Sequence, residues 1–211
     1  RLARHRLEQL AELQAALDRQ EFVLHYQPKV NMRSGEVLGF EALIRWEHPQ
    51  HGLMYPESFI SLVESETLVL KFGDWVLQTA LEHLADWNRR GFRTQVSVNV
   101  APSQLMDPAF TGRTLAALEQ YPEIEAGQLQ LEILETGAID NLEHVAQQIG
   151  ILADSGIASA LDDFGTGYSS LSFLKRLPSR EVKIDRSFVI ELLHDPEHAH
   201  IIRGIVRLAN S

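Results

Sequence analysis

Apolar residues at Leu2, Leu7, Leu10, Leu13 and Leu17 form a helical stripe that predicts a helix over residues 2–19. Residues 22–27 have the pattern of a strand closed by Pro28, 31–35 of a turn, and 36–44 of a second strand. A parallel crossover needs about a dozen connecting residues or more, and the connection here is about half that, so this pair is expected to be antiparallel. A loop with His48, Pro49, His51 and Gly52 follows, then a short helix opened by Pro56 and running to Val63. A long helix is expected over 68–90, stopped by Gly91. The pattern then repeats as strand 95–100, helix 108–120, strand 128–134, helix 142–155, strand 157–161, short helix 169–176, strand 181–185 and a last helix 196–209.

Strands alternating with helices predict an α/β fold with a parallel sheet covered by helices. Two closures fit, a doubly wound sheet and a (β/α)8 barrel. Each main strand from the second onward carries one polar residue in an apolar run: Glu41, Asn99, Glu132, Asp162 and Lys183. Barrel sites gather residues from the C-terminal ends of several strands. A doubly wound sheet concentrates them at a switch point, usually beside a glycine-rich first turn, and the sequence has no such turn. The barrel is the expected closure.

The chain has 211 residues, a net charge of −10 and no cysteine. That charge argues against a nucleic-acid polymer as partner, and a phosphate substrate would need positive charge supplied locally. Without cysteine there are no disulfides or thiolate metal sites. No apolar run approaches the length of a membrane span. The chain starts at Arg1 inside a helical pattern. Residues 1–20 are therefore expected to be a linker helix and 21–211 a catalytic domain, within a longer protein that has an upstream sensory or regulatory domain.

The candidate chemistry centres on Asp162-Asp163-Phe164-Gly165-Thr166-Gly167. Neighbouring strand side chains point to opposite faces. Both aspartates can serve one site only where the strand gives way, and Gly165 and Gly167 are expected to supply that break. Two carboxylates about 5 Å apart repel by about 3 kcal/mol at an effective dielectric near 20, so a proton or a cation belongs between them. An acidic turn is the plainer alternative. A kinase Asp-Phe-Gly is not supported, because its glycine-rich loop, strand lysine and His-Arg-Asp are missing. With Glu41, Asn99, Glu132 and Lys183 in the same mouth, a metal is implied, and oxygen donors select magnesium, manganese or calcium over zinc. Glu135, three residues after Glu132, faces the other way on a regular strand and is expected to support the glycine loop. A two-metal centre bridged by Asp162 would suit in-line displacement at phosphorus, with Lys183 orienting the attacking water. His48 and His51 are expected as turn residues, and His194, His198 and His200 lack metal-ligand spacing.

These residues resemble the EAL family of bacterial cyclic di-GMP phosphodiesterases from Glu21 onward. The resemblance rests on Glu41-Ala42-Leu43 within 39–46, Tyr26-Gln27-Pro28, Val98-Asn99-Val100, the stretch 162–170, and Lys183-Ile184-Asp185-Arg186-Ser187-Phe188. It implies a modified TIM barrel with an antiparallel first strand pair, of which this chain lacks the last two strands and their Glu-Gly-Val-Glu motif. It implies a cytoplasmic domain, in a parent that is in some cases membrane-anchored, hydrolysing cyclic di-GMP to linear pGpG with Mg²⁺ or Mn²⁺. Glu41, Asn99, Glu132 and Asp162 resemble metal ligands, and Asp163 a second-metal ligand. Lys183 matches the lysine at the catalytic water, Glu135 the glutamate that holds the glycine loop, and Gln27 and Arg45 positions that contact substrate. Relatives often dimerise beside that loop, making a homodimer one expected assembly. Other relatives lose catalysis and act as cyclic di-GMP sensors or interaction modules, which is the alternative function. The family's Glu-x-Thr-Glu is Glu132-Ile133-Leu134-Glu135 here.

Overall fold

The structure, a computed structural model, describes residues 2–64, 68–134, 141–165, 176–190, 192 and 195–209. Among the described residues, seven strands form one sheet: β1 (Phe22–Val30), β2 (Val37–His48), β3 (Gly52–Met54), β4 (Gln95–Val100), β5 (Leu129–Leu134), β6 (Ala158–Phe164) and β7 (Glu181–Ile184). The order is β1-β2-β4-β5-β6-β7, with β3 hairpinned onto β2. β1 and β2 pair antiparallel and the steps from β2 to β7 are all parallel, as expected from connection length. The helices are α1 (Leu2–Asp18), α2 (Ile60–Glu64), α3 (Leu68–Arg89), α4 (Pro102–Leu105), α5 (Phe110–Glu119), α6 (Leu142–Asp154), α7 (Arg186–Ile190) and α8 (Pro196–Ala209).

The sheet is strongly curled. Five strand spacings separate β1 from β7 in the sheet order, about 24 Å if the sheet were flat. Yet Lys29 Nζ on β1 lies 3.8 Å from Glu181 Oε1 on β7. The two edges thus face each other across a shared interior, the geometry of a TIM-like barrel wall left open as a sheet.

Alternation along the strands sorts the two faces. Val96, Val98 and Val100 on β4 and Leu129, Leu131 and Ile133 on β5 are buried on the outside, against Leu77, Leu81 and Leu84 of α3 and Ile149 and Leu152 of α6. The intervening residues, Ser97, Asn99, Gln130 and Glu132, line the interior. A second core cluster joins Leu13 and Ala16 of α1 to Phe22, Trp46, Phe59 and Phe72, with Phe22 edge-on to Phe72 at 4.8 Å.

Several local expectations differ from the structure. β1 runs through Pro28 to Val30, because β1 is an edge strand and an edge tolerates a missing N–H. The expected loop after Trp46 is a β2–β3 hairpin. His48 closes it, its Nδ1 accepting from the backbone N–H groups of Gln50 and His51. Two short helices, α4 and α7, escape periodicity because each is only four or five residues long. β6 extends through both aspartates to Phe164. The helix expected over 169–176 lies, apart from Arg176, outside the described residues.

Candidate active site

Five side chains from five parallel strands meet at the C-terminal mouth of the curled sheet. Register places them: Asn99 pairs with Glu132, and Asp162 with Leu134. Lys183 comes from β7, at the opposite end of the parallel run from Glu41. Asn99 Nδ2 donates to Glu41 Oε1 at 2.9 Å. The Lys183 ammonium donates to Glu41 Oε2 at 3.1 Å, to Asp162 Oδ2 at 3.0 Å, and to Glu132 Oε2. Glu41, Glu132 and Asp162 each offer a carboxylate oxygen, and these three oxygens lie within 4.8 Å of one another.

Charge in this space is held by mutual compensation. Burial raises the Glu132 carboxyl above its ordinary range, and the charge of Glu41 adds to the effect; Lys183 opposes both. Burial alone would lower the Lys183 ammonium, but its hydrogen bond to Glu132 and the charges of Glu132, Glu41 and Asp162 outweigh that and raise it. Lys183 is therefore a cation across the working pH range.

Asp162 and Asp163 share the mouth through backbone geometry. The β6–β7 register shifts between Leu161 and Phe164, and Asp163 adopts φ +55°. The chain turns at Asp163 itself, two residues before the first glycine expected to provide the break, and Gly165 follows at φ +104°. Aspartate is one of the few side chains that enter this left-handed region at modest cost. The Asp163 N–H donates to Asp162 Oδ1 at 3.0 Å. Burial, then the charges of Asp162 and Asp185, raise the Asp163 carboxyl, while hydrogen bonds from Ser187 lower Asp185. Asp185 was not foreseen as part of the site, although it lies two residues after Lys183 in sequence.

Arg45, four residues after Glu41 on the same face of β2, has its guanidinium 4.8 Å from the centre of the Tyr55 ring and donates to the Ile44 carbonyl at 2.8 Å. Its Nε is buried without a hydrogen-bond partner. Gln27 is exposed and pairs in register with Glu41. A cavity of about 470 Å³ joins Asn99, Asp162 and Asp163 to an apolar wall that includes Leu43, Pro56 and Ile60. Glu135, residues 166–170 of the glycine loop, and His194 lie outside the described residues.

A second polar layer lies two residues below the mouth, on the same face of the same strands. Lys29 Nζ donates to Ser97 Oγ at 2.7 Å and to Gln130 Oε1, and Gln130 Nε2 donates to Glu181 Oε2 at 3.0 Å. Sequence reasoning missed this layer. The signal was present: Ser97, Gln130 and Glu181 each precede a mouth residue by two positions.

The donor set fits a divalent cation. Every ligand atom is a hard oxygen, and the three carboxylates converge. Glu41, Glu132 and Asp162, with Asn99 beside them, are the residues that would hold it.

The family profile described as "EAL domain" matches residues 10–211. The chain is 40% identical over 217 aligned residues to the bifunctional diguanylate cyclase/cyclic di-GMP phosphodiesterase MucR of Pseudomonas aeruginosa, covering 99% of this chain and 30% of that protein. It is 36% identical over 199 residues to the cyclic di-GMP phosphodiesterase PdeR of Escherichia coli, covering 94% of this chain and 30% of that protein. It thus spans about 30% of the length of these relatives. The solved PaMucR phosphodiesterase in complex with c-di-GMP superposes with a TM-score of 0.91 at 40% identity, covering 96% of this chain and 82% of that one. Two routes, residue pattern and three-dimensional match, converge: the chain belongs to the EAL domain family.

Proposed function

We propose that this chain is the catalytic domain of a metal-dependent phosphodiesterase that hydrolyses one phosphodiester of cyclic di-GMP to give linear pGpG. The observation that carries this is the meeting of Glu41, Glu132 and Asp162 around the Lys183 ammonium, beside a cavity that offers apolar wall and carboxylates together. Sequence similarity to proteins named cyclic di-GMP phosphodiesterases supports the substrate.

In this proposal Glu41, Asn99, Glu132 and Asp162 hold a first Mg²⁺ or Mn²⁺, and Asp162 with Asp163 reaches a second. The bound cations supply Lewis-acid polarisation of the phosphoryl oxygen and a water acidified enough to attack at neutral pH. Lys183 orients that water and offsets charge that develops on it. Gln27 and Arg45 hold the substrate, with Arg45 kept in place by Tyr55 and the Ile44 carbonyl. Water oxygen adds to phosphorus, the bond from phosphorus to the ribose 3′ oxygen breaks, and that oxygen leaves with a proton. Glu135 steadies the loop beyond Asp163, and the domain works beneath a regulatory domain of a longer chain, as a monomer or a homodimer.

The test is chromatographic detection of pGpG from cyclic di-GMP with Mg²⁺ or Mn²⁺, with Ca²⁺, and with excess EDTA. Turnover is expected with the first two, little with Ca²⁺ and none with EDTA. Cyclic di-GMP binding without hydrolysis in Mg²⁺ and Mn²⁺ would establish a sensor instead.

A further inference from the structure

Lys29 stands outside the set of site residues, yet its ammonium is 3.7 Å from Glu132 Oε1. It comes from β1, the antiparallel edge strand, and reaches inward beneath the mouth. Its hydrogen bonds go to Ser97 Oγ and Gln130 Oε1, on β4 and β5, and its second ion pair goes to Glu181 on β7. Those partners are themselves linked, Ser97 Oγ donating to Gln130 Oε1 at 2.7 Å. The ammonium is thus fixed from below by three strands and acts on Glu132 as a stationary charge.

Glu132 is held from two sides. Its side chain is fully buried, with Lys183 on Oε2 and Lys29 near Oε1. Oε1 receives no hydrogen bond, and the Lys29 ammonium lies 3.7 Å from it on the side below the mouth. Glu41 and Asp162 pair with Lys183, and among the described residues neither has an ion pair to Lys29.

We propose that Lys29 is a positioning residue that sets which cation the site accepts, by pinning Glu132 Oε1 beneath the mouth and leaving a single oxygen to face it. This rests on the metal-dependent function proposed above. A one-oxygen carboxylate suits the tight octahedral shell of Mg²⁺ or Mn²⁺. Calcium takes more oxygens and accepts two from one carboxylate. Without the Lys29 charge the Glu132 carboxylate is free to rotate and present both oxygens, which favours calcium.

The experiment follows Mn²⁺ bound to the full chain by electron paramagnetic resonance and displaces it with Mg²⁺ or Ca²⁺, in the wild type, Lys29→Met and Lys29→Arg. Partners of metal ligands commonly change metal affinity by about tenfold or more, and the ratio of Ca²⁺ to Mg²⁺ affinity is expected to rise by about that factor in Lys29→Met. Lys29→Arg, which keeps the charge, is expected to keep the wild-type ratio. Lys29→Gln keeps a polar group between Ser97 and Gln130; it is expected to show the Met shift and serves if Lys29→Met does not fold. No Mn²⁺ binding by the wild type would overturn the metal-dependent function and this inference together. Mn²⁺ binding with an unchanged ratio in the neutral variants, or an equal shift in Lys29→Arg, would overturn the inference alone.

Discussion

Replacing Lys183 by methionine separates what this residue does for the fold from what it does for turnover. The wild-type ammonium contacts three carboxylates, two of them at 3.0 and 3.1 Å. At an effective dielectric of 20, each of these is about 5 kcal/mol of bare Coulomb attraction. Desolvation offsets most of that, and removing one partner of such a network costs about 3 kcal/mol through the charges left behind. The Lys183 side chain is 25% exposed and that of Glu132 is closed to solvent, so screening reduces the figure only in part. A domain of this size loses about 2–4 °C in Tm per kcal/mol. The metal-free variant should therefore melt about 6–12 °C below the wild type. A divalent cation at about 100 times its Kd returns about 2.7 kcal/mol. It should narrow the gap, because in the variant it takes over the compensation of these carboxylates that Lys183 supplies in the wild type. Turnover should stay about 100-fold or more below wild type even in saturating Mg²⁺, a loss of about 2.7 kcal/mol of transition-state stabilisation. Calorimetry with and without Mg²⁺, paired with the pGpG assay, measures both. Equal melting of the two metal-free proteins, or wild-type turnover in the variant, would show that the ammonium does not hold this cluster.

Three further outcomes are expected. Glu41→Gln should cut turnover by about 100-fold or more with the fold intact by circular dichroism, since Glu41 serves the mouth and not the core; wild-type rates would contradict its assignment. Asp163→Asn should raise the Tm of the metal-free protein at neutral pH. The folded Asp163 carboxyl titrates above its ordinary value, so wild-type stability is fullest below the unfolded pKa and declines as pH rises through the folded one. The advantage of Asn should shrink as pH falls toward 4, and a difference independent of pH in thermal melts would refute this. Leu13→Ala, at a position 1% exposed in the α1 cluster, should cost about 2–5 kcal/mol in urea denaturation if α1 folds as part of the domain; a near-zero change would make α1 an independent appendage.

Much of this was legible because burial repeats with the period of the element that causes it. Val96-Val98-Val100 marked the outer face of β4, and the polar residues between them marked the interior. The same rule, applied once per strand, found Asn99 and Glu132 but stopped at the mouth. Continued two residues back, it leads to Ser97, Gln130 and Glu181, and from there to Lys29. Other features had no periodic trace. The turn at Asp163 depends on a backbone angle that an aspartate can adopt but does not advertise. Pro28 signals a strand end unless the strand is known to be an edge, and that is a property of the assembled sheet. Glu41 and Asp162 were readable as polar breaks in apolar runs, but their meeting on one lysine required the curl.

That curl also dictates when the site comes into being. The β1–β2 hairpin closes over a short turn and forms in about microseconds, whereas the contact between Glu41 and Lys183 spans 142 residues. Closing so long a loop gains nothing until every intervening strand has paired. The acidic cluster therefore assembles near the end of folding, and its repulsion is absent from the steps that precede it. An ion that binds there stabilises the native state without stabilising the transition state, so it should slow unfolding and leave the folding rate nearly unchanged.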